Sequence, residues 1–110
     1  MIYELRIYDV APGRMADLHA RFRDHTLKIF ARHGFHPVAF LNTEIGSSSD
    51  KLTYLLQWHS LAERESAWAA FLSDPEWQEV SAESNKPGQL ILRIRNSILR
   101  PTDYSPTVGS

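Results

Sequence analysis

Five histidines and a scatter of large aromatic residues are the side chains in this 110-residue chain whose types could do chemistry. His25 falls on an apolar helical stripe with Leu18, Phe22 and Ile29, whose successive members are three or four residues apart. A neutral imidazole held on that stripe beneath a sheet could act as a base or orient a substrate. The position equally suits a core histidine satisfied by a backbone carbonyl or a Tyr hydroxyl. His33 precedes Gly34, where a helix C-terminus favours a cation, so it reads as a capping group. His19 and His36 fall beside the stripe and at a strand entry. His59 ends a strand and faces either a seam between copies or solvent.

Tyr3, Phe22, Phe30, Tyr54, Trp58, Trp68, Phe71 and Trp77 are spaced to point into a layer between a sheet and its helices. Such a stripe is ordinarily core. A pocket left within it would suit a hydrophobic small molecule, with Tyr3, His25, Tyr54, Trp58 and Trp68 as the candidate ligand-binding residues and His25 as the candidate catalytic one. Other chemistries lack their motifs. The chain has no cysteine, so thiolate nucleophiles, disulfides and zinc–thiolate sites are excluded. It has no H-x-x-x-H pair, because His33 and His36 are three apart across a glycine, and no metal is expected. There is no G-x-S-x-G elbow, and Gly46-Ser47-Ser48-Ser49 lacks the lysine and helix of a phosphate loop, so no cofactor is expected.

The elements that would position these groups follow from periodicity. Ile2 to Val10 alternates, with Tyr3, Leu5 and Ile7 as a dry set and Glu4, Arg6 and Tyr8 as a mixed one, which predicts a strand. After Pro12-Gly13, the stretch Arg14 to Arg32 predicts an amphipathic helix stopped at Gly34. Phe35–Ile45 and Leu52–His59 predict a hairpin around Gly46–Asp50. Ser60-Leu61-Ala62-Glu63 has the form of a capping box and opens a helix to about Ser73. Asp74-Pro75-Glu76 restarts it, with Asp74 as N-cap and Pro75 at the first helical position. Gln89–Leu99 predicts a long last strand, and Arg100–Ser110 an extended arm.

The order is β-α-β-β-α-β. With right-handed crossovers, the simplest arrangement is a four-stranded antiparallel sheet with both helices on one face, an α+β fold. The mixed polar and apolar face left uncovered favours pairing with a second copy; a half-solvated face with paired charges, Glu4 with Arg93 or Arg95, is the alternative. Composition bounds the rest. Twelve basic against thirteen acidic residues give a net charge of -1, which disfavours a nucleic-acid partner. No apolar run approaches a membrane span, no signal peptide is visible, and the expected location is cytoplasmic.

With the elements placed, the chain resembles the NIPSNAP family of the dimeric α+β barrel superfamily. The resemblance rests on Tyr3-Glu4-Leu5-Arg6-Ile7-Tyr8, Pro12-Gly13, Phe22-Arg23-Asp24-His25-Thr26 with Phe30 and His33-Gly34, Trp58, Ser60-Leu61-Ala62-Glu63-Arg64, Asp74-Pro75-Glu76-Trp77, Ile98-Leu99-Arg100-Pro101-Thr102 and Tyr104-Ser105-Pro106, in that order. It implies a ferredoxin-like protomer over residues 1–100, an arm over 101–110, and a homodimer through the helix-free sheet face, closing a dimeric α+β barrel. It implies no catalytic residues. Two functions fit: a small assembly or small-molecule-binding protein, or a cofactor-independent oxygenase or isomerase acting on an aromatic or polyketide-like compound.

Overall fold

Four strands, β1 (Ile2–Val10), β2 (His36–Asn42), β3 (Lys51–Trp58) and β4 (Ile91–Leu99), form one antiparallel sheet in the order β2-β3-β1-β4 in the computed structural model, which describes residues 1–106. The helices are α1 (Met15–Arg21), a π-helical turn (Phe22–Thr26), α2 (Leu27–Arg32), α3 (Leu61–Leu72) and α4 (Pro75–Ser84). This is the expected ferredoxin-like α+β protomer. The arm expected over 101–110 is exposed through Pro106, with Tyr104 at 84% exposure; residues 107–110 lie outside the described residues.

Local chemistry sets the helix ends. Ser60 Oγ accepts from Glu63 N at 3.1 Å, while Glu63 Oε1 reaches past the N-cap and accepts from His59 N at 3.0 Å. Asp74 Oδ1 accepts from Glu76 N at 2.8 Å ahead of α4. Its Oδ2 takes Arg32 Nη2 at 2.6 Å and lies 2.7 Å from His33 Nε2. His33 is therefore a tie between the end of α2 and the start of α4. Gly34, at φ +79°, turns the chain out of α2 in the left-handed region where other residues are strained.

One feature of the first helix was not expected. The π-helical turn inserts an extra residue per turn, which rotates every side chain after Phe22 relative to an unbroken α-helix. The buried set becomes Leu18, Arg21, Phe22, Thr26, Ile29 and Phe30. His25 leaves the stripe and is exposed.

The helices cover one face of β1 and β3, whose residues alternate buried and half-buried along their length. Tyr54, Leu56 and Trp58 of β3 lie under the helices with Phe30, Phe35 and Phe71, and the Phe30 and Phe35 rings stack at 4.3 Å. Burying each such side chain contributes about 1.5–3 kcal/mol. On β1 the faces are the reverse of the sequence reading. Ile2, Glu4, Arg6, Tyr8 and Val10 are buried, while Tyr3, Leu5 and Ile7 look onto the uncovered face. Mutual hydrogen bonding among Glu4, Arg6 and Tyr8 makes that burial tolerable. Glu4 is consequently not opposite Arg93 or Arg95; Arg95 pairs instead with Asp9 at 3.0 Å.

The edge strand β4 differs. Its register with β1 slips between Asp9 and Val10, and from Leu92 to Leu99 every residue is exposed. The helical layer stops short of it, leaving a trough beside β1.

Candidate functional site

The site begins with Glu4 on the central strand. Its carboxylate is fully buried and accepts from five side chains. Trp58 Nε1, Trp68 Nε1 and Arg64 Nε each reach Oε1 at 3.0 Å. Arg6 Nη1 at 2.9 Å, Arg64 Nη2 at 3.0 Å and Asn96 Nδ2 at 3.3 Å reach Oε2. Burial alone would raise the pKa of this carboxyl. The donors from Arg64 and Trp68 and the charge of Arg6 outweigh it and hold the group at about 2. Glu4 is an ionised anchor, not a proton donor, at neutral pH.

Arg6 is the next link. Its guanidinium lies 4.3 Å from the centre of the Trp68 ring, and its Nε donates to the Tyr54 hydroxyl at 2.7 Å. The Tyr54 and Tyr8 hydroxyls are 2.7 Å apart, with their rings at 89°. Burial raises the Tyr54 pKa well above its usual value, and the neighbouring Tyr8 adds to this against the opposing charge of Arg6. Tyr54 therefore stays protonated. The result is a chain, Glu4–Arg6–Tyr54–Tyr8, running across the two central strands.

Tyr8 ends that chain at a cavity of about 290 Å³ between the sheet and the helices. Arg6, Arg21, Phe22, Trp68, Trp77 and Ile94 share its wall. Exposed Asn85, Gln89 and Ile94 mark its open side, where β4 has no helix above it. Arg21 comes from the turn preceding the π-helical segment. It is 7% exposed, donates to Ser84 Oγ at 3.1 Å and lies 5.0 Å from the Trp77 ring centre.

The sequence-predicted residues scatter around this site. Tyr54, Trp58 and Trp68 meet in the network, though Tyr54 and Trp58 are wholly buried and serve as support. Trp68 reaches the cavity wall. Tyr3 sits on the opposite sheet face. His25 borders a separate, open groove of about 580 Å³ between the first helix and α4, lined by charged residues such as Asp24, Lys28 and Glu79. Glu4, Arg6, Tyr8 and Arg21 were missed. The first three share one alternating set with Ile2 and Val10, a partial signal outweighed by the more apolar set of Tyr3, Leu5 and Ile7.

Comparisons with known proteins agree with this geometry at the level of fold and family. The chain superposes on an uncharacterized NIPSNAP-like domain protein from Burkholderia xenovorans with a TM-score of 0.85, at 29% identity over 97% of this chain and 90% of that one. A NIPSNAP family protein from Agrobacterium tumefaciens gives 0.84, at 29% identity and 96% coverage of both chains. A putative antibiotic biosynthesis monooxygenase from Chloroflexus aurantiacus shares the fold more loosely, with a TM-score of 0.58 at 18% identity over 96% of this chain and 98% of that one. No curated protein matches the chain. The NIPSNAP family model matches residues 3–106, and the chain belongs to the NIPSNAP family.

Proposed function

We propose that this protein is a homodimeric small-molecule-binding protein whose ligand sits between the sheet and the helices. The observation that carries the reading is the cavity of about 290 Å³ ending on Tyr8 and Arg6, close to the lower limit of the roughly 300–1,000 Å³ usual for ligand sites. An apolar wall with a few fixed polar groups is the usual make-up of such sites. Glu4 holds Arg6, and Tyr54 holds Tyr8, so the polar groups are preorganised. The pairing of two copies draws support from the helix-free face, where Tyr3, Leu5, Ile7 and Leu55 are half-buried and Leu41 and Leu99 exposed. Among the described residues, no helix is long and apolar enough to cross a membrane.

A neutral fluorescent probe, N-phenyl-1-naphthylamine, tests the cavity. Saturable binding that disappears in Ser81→Trp, which fills the cavity from α4, is the expected result. Probe binding unchanged by Ser81→Trp places the ligand elsewhere and removes this reading.

The second reading is a cofactor-independent oxygenase or isomerase. Its specific support is the pairing of the Tyr8 hydroxyl with the Arg6 cation, donors suited to a developing enolate oxygen. Turnover of an aromatic substrate that survives Tyr8→Phe undiminished would remove it.

A further inference from the structure

The charge and proton pattern of the cavity identifies what it would take. Among the described residues its wall carries two guanidinium groups, Arg6 and Arg21, and no carboxylate. The buried anion behind the wall, Glu4, is already shared by Arg6 and Arg64. Among the described residues Arg21, although buried, has no carboxylate within ion-pair distance, and its Nε has no hydrogen-bond partner. Asp17, Asp24, Glu79 and Glu83 line the outer groove on the other side of Arg21, but they are exposed and solvated. A buried cation of this kind is costly until an anion joins it.

Proton bookkeeping on the tyrosines gives the same sign. Arg6 can only donate, so the Tyr54 oxygen accepts its Nε–H. Tyr54 is fully buried, and its own proton can go only to Tyr8, 2.7 Å away. Tyr8 accepts from Tyr54 and, at 3.5 Å, from Arg6 Nη2, so its remaining capacity on the cavity side is its O–H donor. The wall therefore presents a hydroxyl donor and two cations. Phe22, Trp68 and Trp77 add aromatic rings to the same wall.

We propose that the cavity binds a planar organic monoanion, a carboxylate carried on one or two conjugated rings, with the carboxylate between Tyr8, Arg6 and Arg21. This rests on the small-molecule-binding reading and sharpens it to a chemical class. Aromatic rings slot between the aromatic walls, and a carboxylate accepts from both guanidiniums and the hydroxyl without presenting a donor of its own.

Calorimetric titration with benzoate, cinnamate and 2-naphthoate, each beside its neutral amide, tests it on the full chain. At least one carboxylate should bind tenfold or more tightly than its amide. Arg21→Gln should cut that affinity at least tenfold and bring the preference for acid over amide down towards one. Circular dichroism verifies that the variant folds, and Tyr8→Phe replaces it if it does not. Equal affinity for acid and amide, or carboxylate binding indifferent to both substitutions, overturns the proposal while leaving the cavity reading intact. Failure of all six compounds overturns it as well, and the neutral fluorescent probe then decides separately whether the cavity binds anything.

Discussion

Arg6 donates to Glu4 at 2.9 Å from two positions along the same strand, and both side chains lie on the face covered by helices. Side chains two apart on a strand share a face, so the pair is built into β1 before any helix packs on it. Trp58, Trp68, Arg64 and Asn96 then complete the carboxylate's shell from β3, α3 and β4. The network thereby joins three strands and a helix through one residue.

Replacing that residue should be severe. Glu4→Gln leaves Arg6 and Arg64 without their shared anion, and removing one partner of a buried ion pair costs about 3–5 kcal/mol. Urea denaturation of the variant against the parent measures it. A loss below 1 kcal/mol (the order of an exposed pair) would show that the network contributes little.

Acid should act through the same group. The Glu4 carboxyl has a folded pKa of about 2 against an ordinary value of 4.5. Its contribution is thus present in full above the unfolded value and is lost as pH falls from about 4.5 towards 2. Denaturation midpoints followed from pH 6 down to pH 2, roughly the span in which carboxylates titrate, should fall more steeply for the parent than for Glu4→Gln. Parallel slopes would contradict the assignment.

Tyr54→Phe removes the joint between Arg6 and Tyr8 without opening space. Leaving the buried Arg6 Nε–H unpaired costs about 1–3 kcal/mol. The Tyr8 hydroxyl also loses its fixed direction, so affinity for the best carboxylate should fall severalfold. A variant as stable as the parent, with ligand affinity intact, would mean that water replaces the joint.

Pairing of two copies is the remaining expectation. Leu5→Glu places a charge in the middle of the uncovered face and should convert a dimer to monomer by light scattering. A parent protein found only as a 12.6 kDa species at micromolar concentration removes the dimer. Deleting residues 100–110 should weaken association if the arm crosses to the partner; unchanged dissociation excludes the crossing.

Element order and helix boundaries could be read directly from the sequence because they follow from local rules. The alternation of β3, the capping box at Ser60–Glu63, the Asp74-Pro75 restart and the stop at Gly34 each need only neighbours within a few residues. Tyr54, Trp58 and Trp68 lie in the layer between sheet and helices for the same reason: their periodicity is unbroken. The faces of β1 and the orientation of His25 were decided by tertiary structure. Alternation divides β1 into two sets but does not say which one the helices cover. Glu4 and Arg6 look like the solvent set until Trp58, Trp68 and Arg64 arrive from distant segments to satisfy them. The π-helical turn at Phe22–Thr26 changes the helical phase, turning His25 out and Thr26 in, with Arg21 buried just ahead of it. A candidate site centred on His25 thus moved to Arg6, Tyr8 and Arg21, because hydrogen-bond satisfaction across the sheet, unlike periodicity, has no local sequence signature.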